Sequence, residues 1–482
     1  MTVTRAPQGH NRPVILVHGY SDHGESFTAW KEKLVARGFN ADVIDVITYE
    51  SLTNEVTIKD LAEGFDRAIR THSKLKEATE FDVIVHSTGM LVVRTWLVAE
   101  HAKASERLSR IKHLIGFAPA TFGSPLAHKG RGVLGALFKG NKRRGPDFLA
   151  AGDLILDALE LGSRYTWDLA NADLFGQEKT FYGEDNTTPY PFIFCGNRPY
   201  DGIVGLINEK GTDGTVRWAG ASLNSRKIVL DLTPNAPKRL DEATWTNVDC
   251  PVMFTDDQDH GSILSEPAED MVEYVVRALL VDSHASFTEW VSDAGSWSRP
   301  PNEEWQQFVI RVIDQRGDPV PDYSIRLFQE GEKEDPGKER LTQFVTDVDA
   351  YSGDKSFRCF HVNLNVLKPE ALESLYAVIT ISSGSIWVSY EGRSDEGPFL
   401  SKLEEETEIR NDENDDNKAA RSLRDALQPA ETVIQVDLSA YVGRASKPVK
   451  FFYGFTTTLI EIKVNREPVP VGNVAAKVCR FI

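Results

Sequence analysis

The chain has 482 residues, 41% of them hydrophobic and 26% charged, and a formal net charge of −18. That length exceeds what one core of ordinary size supports, so two domains are expected. The acidic balance argues against a phosphate-reading nucleic-acid surface, and against simple adhesion to anionic membranes unless cations are locally segregated.

Met1 to Arg12 has no apolar h-region, and no stretch reaches the about 18 apolar residues of a spanning helix. The expectation is a chain with no signal peptide or transmembrane segment, cytoplasmic by default. Pro13 to Val17 reads as a buried strand that delivers His18-Gly19-Tyr20 into a polar loop, followed by an amphipathic helix through Phe27, Trp30 and Leu34. A strand (Ala41 to Val46) and a helix (Ile58 to His72) come next. In the stretch from Phe81, Val83 to Val85 is another apolar run, which breaks at His86-Ser87-Thr88-Gly89 and passes at once into an apolar helical pattern. Strand, sharp turn, helix is a nucleophile elbow, with the serine at a strained position and the next N–H facing a developing oxyanion. Gly89 allows close passage of strand and helix, whereas Val85 stands where a glycine is usual, so the generic G-x-S-x-G pattern is half met. The candidate oxyanion donors are the backbone N–H groups of Thr88 and Tyr20. His18 and His86 each sit beside such a donor and read as loop-holding side chains.

Ile111 to Phe117 is a further strand, and alternating βα units imply a mostly parallel sheet with helices on both faces. The segment from His128 to Arg144 breaks the alternation. Its cations (Lys129, Arg131, Lys142, Arg143 and Arg144, with Lys139) flank an apolar run containing Leu134, Leu137 and Phe138, with no acid among them. That composition suits either a mobile cap touching a lipid surface or a solvated loop tied to acidic neighbours. Phe148 to Leu174 is helical and leucine-rich and is expected to complete a cap over the pocket, the whole cap running over about residues 123–185. After the strand Tyr190 to Gly196, Thr212-Asp213-Gly214-Thr215-Val216 places a carboxylate in a glycine-containing loop. Asp213 is the choice for the acid that orients a catalytic imidazole, with Asp201 as its rival. The last strand (Pro251 to Phe254) leads to Asp259-His260-Gly261 and a closing helix (Met271 to Val281). Asp256, Asp257 and Asp259 either salt-bridge His260 or raise its basicity. The order Ser87, Asp213, His260 is the α/β-hydrolase order of serine, acid, histidine.

These three motifs are similar to those of the PlaB family of bacterial phospholipases A and lysophospholipases, which also departs from the elbow glycine and carries a C-terminal extension. The resemblance implies triad roles for Ser87, Asp213 and His260, and phospholipid and lysophospholipid substrates. It also implies peripheral membrane association, outer membrane included, and a homo-oligomer such as a tetramer.

Val291 to Asn302 shifts to Ser, Gly, Pro and Trp and reads as a linker, giving a catalytic domain over 1–290, a linker over 291–304 and a second domain over 305–482. Short strands punctuated by turns make the second domain an antiparallel sandwich or barrel. Lys402 to Lys418 is an acidic run without the regular Asp alternation and glycine of a calcium loop, and reads as a solvated insertion. The four cysteines (Cys195, Cys250, Cys359, Cys479) form no C-x-x-C pair, so no zinc site or disulfide framework is expected. The expected activity is cofactor-free, metal-free acyl transfer on phospholipids and lysophospholipids. The rivals are a neutral lipase or carboxylesterase, and a binding protein that has kept a hydrolase fold.

Overall fold

The computed structural model describes residues 3–7, 10–19, 24–47, 55–99, 104–128, 153–175, 181–183, 187–201, 208–237, 239–244, 249–329, 345–367, 375–392, 431–438 and 451–470. The first part contributes strands β1 (Val14–Val17), β2 (Ile44–Ile47), β3 (Phe81–His86), β4 (Ile111–Phe117), β5 (Tyr190–Gly196), β6 (Ser225–Asp231), β7 (Leu240–Thr244) and β8 (Val252–Thr255). Six of them form a parallel sheet in the order β2-β1-β3-β4-β5-β8. Every residue of β1, β3, β4, β5 and β8 is buried, as strands covered on both faces must be, while edge strand β2 is partly exposed. Alternate residues feed two cores. Val14, Leu16, Ile84 and Phe117 meet Trp30, Val272, Val275 and Trp290 on one face, and Ile15, Val17, Val83 and Val85 meet Phe65, Leu91 and Trp96 on the other.

The second part adds β9 (Trp305–Asp314), β10 (Tyr323–Gln329), β11 (Val345–Ala350), β12 (Phe357–Asn363), β13 (Leu375–Ser382), β14 (Val388–Gly392), β15 (Glu431–Asp437) and β16 (Thr456–Pro470). Two sheets, β10-β13-β15 and β11-β12-β9-β16-β6-β7 with β14 on β16, share a core of Phe308, Ile310, Phe360 and Val362 with Ile379, Ile381, Ile434 and Val436. This is the expected sandwich, with two parallel pairs, β9–β16 and β16–β6, set among antiparallel ones. A cavity of about 330 Å³, lined by Ile228, Phe308, Phe360, Ile379, Ile460 and neighbouring apolar side chains, lies in it, away from Ser87.

Three expectations are corrected. Residues 291–297 do not link domains; they end a helix, His284–Trp297, opened by a Ser283–Ser286 capping box. Its buried residues Phe287, Trp290, Ala294 and Trp297 recur at helical spacing, and their burial outweighs the Ser- and Gly-rich composition. Nor does the β-rich part begin after residue 304, because β6 runs parallel to β16 from Ser225↔Thr457 to Asp231↔Lys463. The two parts are joined through one sheet. Within the expected cap, the helices Asp153–Leu159 and Arg164–Asp173 belong to the sheet core with Phe65, Met90 and Trp96, and Trp167 stacks edge-on with Phe357 of β12.

That docking includes a buried ion pair. Arg94, on the helix Gly89–Val98, donates to both oxygens of Asp173 at 2.7 and 2.8 Å and to Thr121 O at 3.1 Å, and both side chains are fully buried. The Tyr182 hydroxyl donates to the same carboxylate at 2.7 Å. Asp173→Ala would leave the buried guanidinium beside the Thr121 carbonyl and the Tyr182 hydroxyl with no counter-charge, so a loss of about 3–5 kcal/mol is expected, read from the midpoint of urea unfolding. The acidic run Lys402 to Lys418 lies outside the described residues.

Candidate active site

β3 ends at His86 and the next helix begins at Gly89, so the chain reverses in two residues. Ser87 takes a φ of 52°, the left-handed region that a side chain occupies only when its surroundings enforce it. The enforcement is visible. Ser87 N–H donates to Phe117 O at 3.1 Å, and its own carbonyl accepts from Ala120 N–H at 3.1 Å and Met90 N–H at 3.2 Å. Two glycines give the turn its clearance: a Cβ on Gly89 would stand 2.8 Å from Val17 O, and one on Gly19 would stand 2.8 Å from Ser87 Cβ. Gly19, from the loop after β1, thus gives the room beside the serine that the sequence pattern seeks at Val85, which is itself fully buried in the core.

Thr88 is the N-cap of the following helix, where a backbone N–H lies outside the helix's own ladder and can face a ligand. Tyr20, the other expected oxyanion donor, lies outside the described residues, as do the cap residues Lys129, Arg131, Leu134, Leu137, Phe138, Lys142, Arg143 and Arg144.

Asp213 and His260 are brought together. His260, in the loop after β8, places Nδ1 2.9 Å from Asp213 Oδ2, and His260 N–H donates to Asp213 O at 3.0 Å. The other carboxylate oxygen accepts from Thr215 N–H at 3.0 Å and Val216 N–H at 2.8 Å. Both side chains are buried. A carboxylate at Nδ1 fixes the tautomer with its proton there, which leaves Nε2 with the lone pair a general base needs. The loop closes on itself at Gly211 and Gly214, with φ of 74° and 101°; a Cβ on Gly214 would meet the Tyr200 ring at 2.4 Å. Burial and the Asp213 charge push the thiol of neighbouring Cys195 well up, so it stays neutral beside the carboxylate.

His86 ties this pair to the elbow. Its Nε2 lies 3.1 Å from His260 O and the two rings are 4.6 Å apart, so the residue before Ser87 holds the backbone of His260. His18 likewise makes a backbone contact, Nδ1 to Gly19 O at 2.7 Å.

The rival acid is elsewhere: the Asp201 side chain is 80% exposed and pairs with Arg198 at 2.9 Å. The acids preceding His260 turn to other partners. Asp259 accepts from Gly261 and Ser262 N–H, Asp256 from Asn197, and Asp257 pairs with Arg198. Asp259 is used up capping backbone N–H groups of its own tight loop, and Asp256 and Asp257 are held by side chains that follow β5.

No family model and no curated protein matches the chain by sequence. By structure it is similar to the phospholipase PlaB from Legionella pneumophila, with a TM-score of 0.70 at 20% identity over 97% of each chain. A second structure of that protein, in complex with thio-NAD, gives 0.69 at 19% identity, again over 97% of each chain. The fold is that of an α/β-hydrolase with a β-rich C-terminal part. The likeness inferred from three short motifs therefore extends, as a likeness of fold, along nearly the whole chain.

Several contributors to this site went unread in the sequence. Gln258 bridges Thr255 Oγ1 to the carbonyls of Ser262 and Glu266, and its own carbonyl lies where a Cβ on Gly196 would have to go. Trp218 Nε1–H donates to Gly196 O at 2.9 Å, and Arg217 is fully buried beside the Asp213 loop. A lone arginine or glutamine between loops carries no periodic signal, so only Gly196, after an apolar strand, could have been singled out.

Proposed function

We propose that the chain is a serine hydrolase that cleaves fatty-acyl esters of phospholipids and lysophospholipids. The observation that carries this reading is the 2.9 Å Asp213–His260 pair, held through His86 beside a serine in the left-handed conformation. In the first step His260 Nε2 takes the proton of Ser87 Oγ as the oxygen attacks the acyl carbonyl. The oxyanion is received by Thr88 N–H and by Tyr20 N–H. His260 then returns the proton to the leaving lysolipid or glycerol oxygen, and water, activated by the same imidazole, releases the fatty acid from the acyl-enzyme. Asp213 keeps the imidazole in its working tautomer and stabilises its charged form.

The substrate class rests on the motif resemblance and on a fold shared with a phospholipase. A panel of phospholipid, lysophospholipid, triacylglycerol and short p-nitrophenyl esters tests it. Turnover of the first two well above triacylglycerol is expected. Preference for triacylglycerol or for short esters alone would make the chain a neutral lipase or carboxylesterase, and no turnover or fluorophosphonate labelling would make it a binding protein.

Peripheral membrane contact through the segment from Lys129 to Arg144, in a homo-oligomer, is part of the same proposal. Each cation near an anionic bilayer contributes about 1 kcal/mol, which salt screens away. Replacing Lys142, Arg143 and Arg144 with Gln is expected to weaken binding to anionic vesicles and activity on them, with short-ester turnover unchanged. Vesicle flotation and a parallel ester assay read both; equal loss on both substrates would assign the segment to the pocket instead.

A further inference from the structure

The loop that carries Asp213 is fastened on its far side to the C-terminal sheet, and one buried side chain makes the charged contacts to β11 and β12. Arg217 is fully buried, and its guanidinium makes three contacts: Nε to Glu209 Oε1 at 2.5 Å, Nη2 to Asp349 Oδ2 at 2.7 Å, and Nη1 to Cys359 Sγ at 3.3 Å. Glu209 and Arg217 are the two ends of the loop, so the first contact closes it. Thr212 and Arg217 form a β-bridge, and Trp218 N–H donates to Gly211 O at 3.0 Å. Asp349 and Cys359 belong to β11 and β12, paired directly as Asp349↔Cys359, so the other two contacts fasten the closed loop to the C-terminal sheet.

The rest of the seam is fitted as tightly. Trp305 of β9 stacks on His361 of β12 with centroids 4.5 Å apart, and a Cβ on Gly211 would meet those two rings at 2.6 and 2.7 Å. His361 Nδ1 lies 3.4 Å from Glu209 Oε1. Burial and the Arg217 charge push the His361 imidazole down to about 4, so it is neutral near pH 7. Burial would raise the Glu209 carboxyl, but contact with His361 and the Arg217 charge outweigh it and hold the group at about 2. Glu209, Asp347 and His361 approach as closely as the ligands of a cation would. A guanidinium already bonded to Glu209 gives this cluster its positive charge, so the geometry favours a clamp over a metal site.

Arg217 follows Val216, whose N–H holds Asp213 Oδ1 at 2.8 Å. Motion of Arg217 toward or away from β11 is therefore transmitted to the carboxylate through one peptide unit. We propose that Arg217 is a positioning residue which, through Asp349 and Cys359, makes the C-terminal sheet hold Asp213 at the distance and angle His260 requires. This rests on the hydrolase reading for its catalytic consequence, and on geometry alone for its effect on the Asp213–His260 hydrogen bond.

The test separates the two. Asp349→Asn removes one charge of the clamp and leaves Arg217 paired with Glu209, so it is expected to fold where Arg217→Ala, stranding two carboxylates, fails. In the full-length protein labelled with ¹⁵N-histidine, the downfield Nδ1–H proton of His260, assigned by its loss in His260→Gln, is expected to move upfield or broaden away in Asp349→Asn. Misplacement of a catalytic group by about 1 Å costs about 10²-fold, so kcat on the best ester of the panel should fall by tenfold or more with KM within about twofold. In an Asp213→Asn background the same substitution should cost little further, because the group it positions is already disabled. An unchanged Nδ1–H resonance in both Asp349→Asn and Arg217→Lys, or an equal kcat loss with and without Asp213, would overturn the clamp. If wild type turns over no ester while Asp349→Asn still moves the resonance, the clamp stands and the hydrolase reading fails.

Discussion

Replacing Ser87 with alanine is expected to lower ester turnover by on the order of 10⁶-fold, the scale of losing a nucleophile in serine hydrolases, with little change in unfolding midpoint. The two halves of this expectation have different physical sources. Loss of Oγ removes the only atom at the elbow able to form the acyl-enzyme in the proposed reaction. The fold keeps what holds the turn, since Ser87 is fixed by its backbone, N–H to Phe117 O and carbonyl to Ala120 and Met90. Alanine at a φ of 52° bears much the same strain as serine. Turnover near wild type would remove Ser87 from the chemistry, and a large fall in stability would mean that Oγ is structural.

Asp213→Asn is expected to lower kcat by about 10³- to 10⁴-fold, as loss of a triad carboxylate does. Asparagine keeps the shape and, through its amide oxygen, the bonds from Thr215 and Val216 N–H, so the loop is expected to survive. The Nδ2 group then faces His260 Nδ1 in place of Oδ2, and two donors cannot share the 2.9 Å gap. The imidazole must give up the Nδ1 proton and carry one on Nε2, where it can no longer accept the proton of Ser87. Asp201→Asn serves as the control: its exposed side chain pairs with Arg198, and activity close to wild type is expected. Steady-state kinetics on one ester decides between them. A severe loss in Asp201→Asn with none in Asp213→Asn would reverse the assignment.

The elbow was legible because three signals coincide there: an apolar run ending at Val85, a glycine at Gly89, and helical periodicity from Met90 onward. The sheet was legible for a similar reason, since buried parallel strands are continuous apolar runs. Asp213 was preferred over Asp201 only by loop position, and the two were alike in sequence because both precede glycine. What separates them is that the loop carrying Asp213 folds back under His260 while Asp201 turns to solvent. The sharing of β6 with the C-terminal sheet was not legible: Ser225–Asp231, a mix of charged and apolar residues, carries no mark of the sheet it joins, and its partner β16 lies more than two hundred residues later. The helix over His284–Trp297 left a readable signal in the spacing of Phe287, Trp290, Ala294 and Trp297, obscured by Ser and Gly between them. Arg217 left none. One buried arginine after a polar loop looks the same in sequence as a solvated one, and only the approach of Asp349 and Cys359 reveals its place.

The central claim is that Ser87 is a nucleophile activated by His260. The most direct measurement is reaction of the full-length protein with a fluorophosphonate probe, followed by peptide mass spectrometry to locate the adduct. The account predicts a single stoichiometric adduct on Ser87, absent in Ser87→Ala and formed far more slowly in His260→Gln. An adduct on another serine, or ester hydrolysis at full rate with Ser87 unmodified, would contradict it.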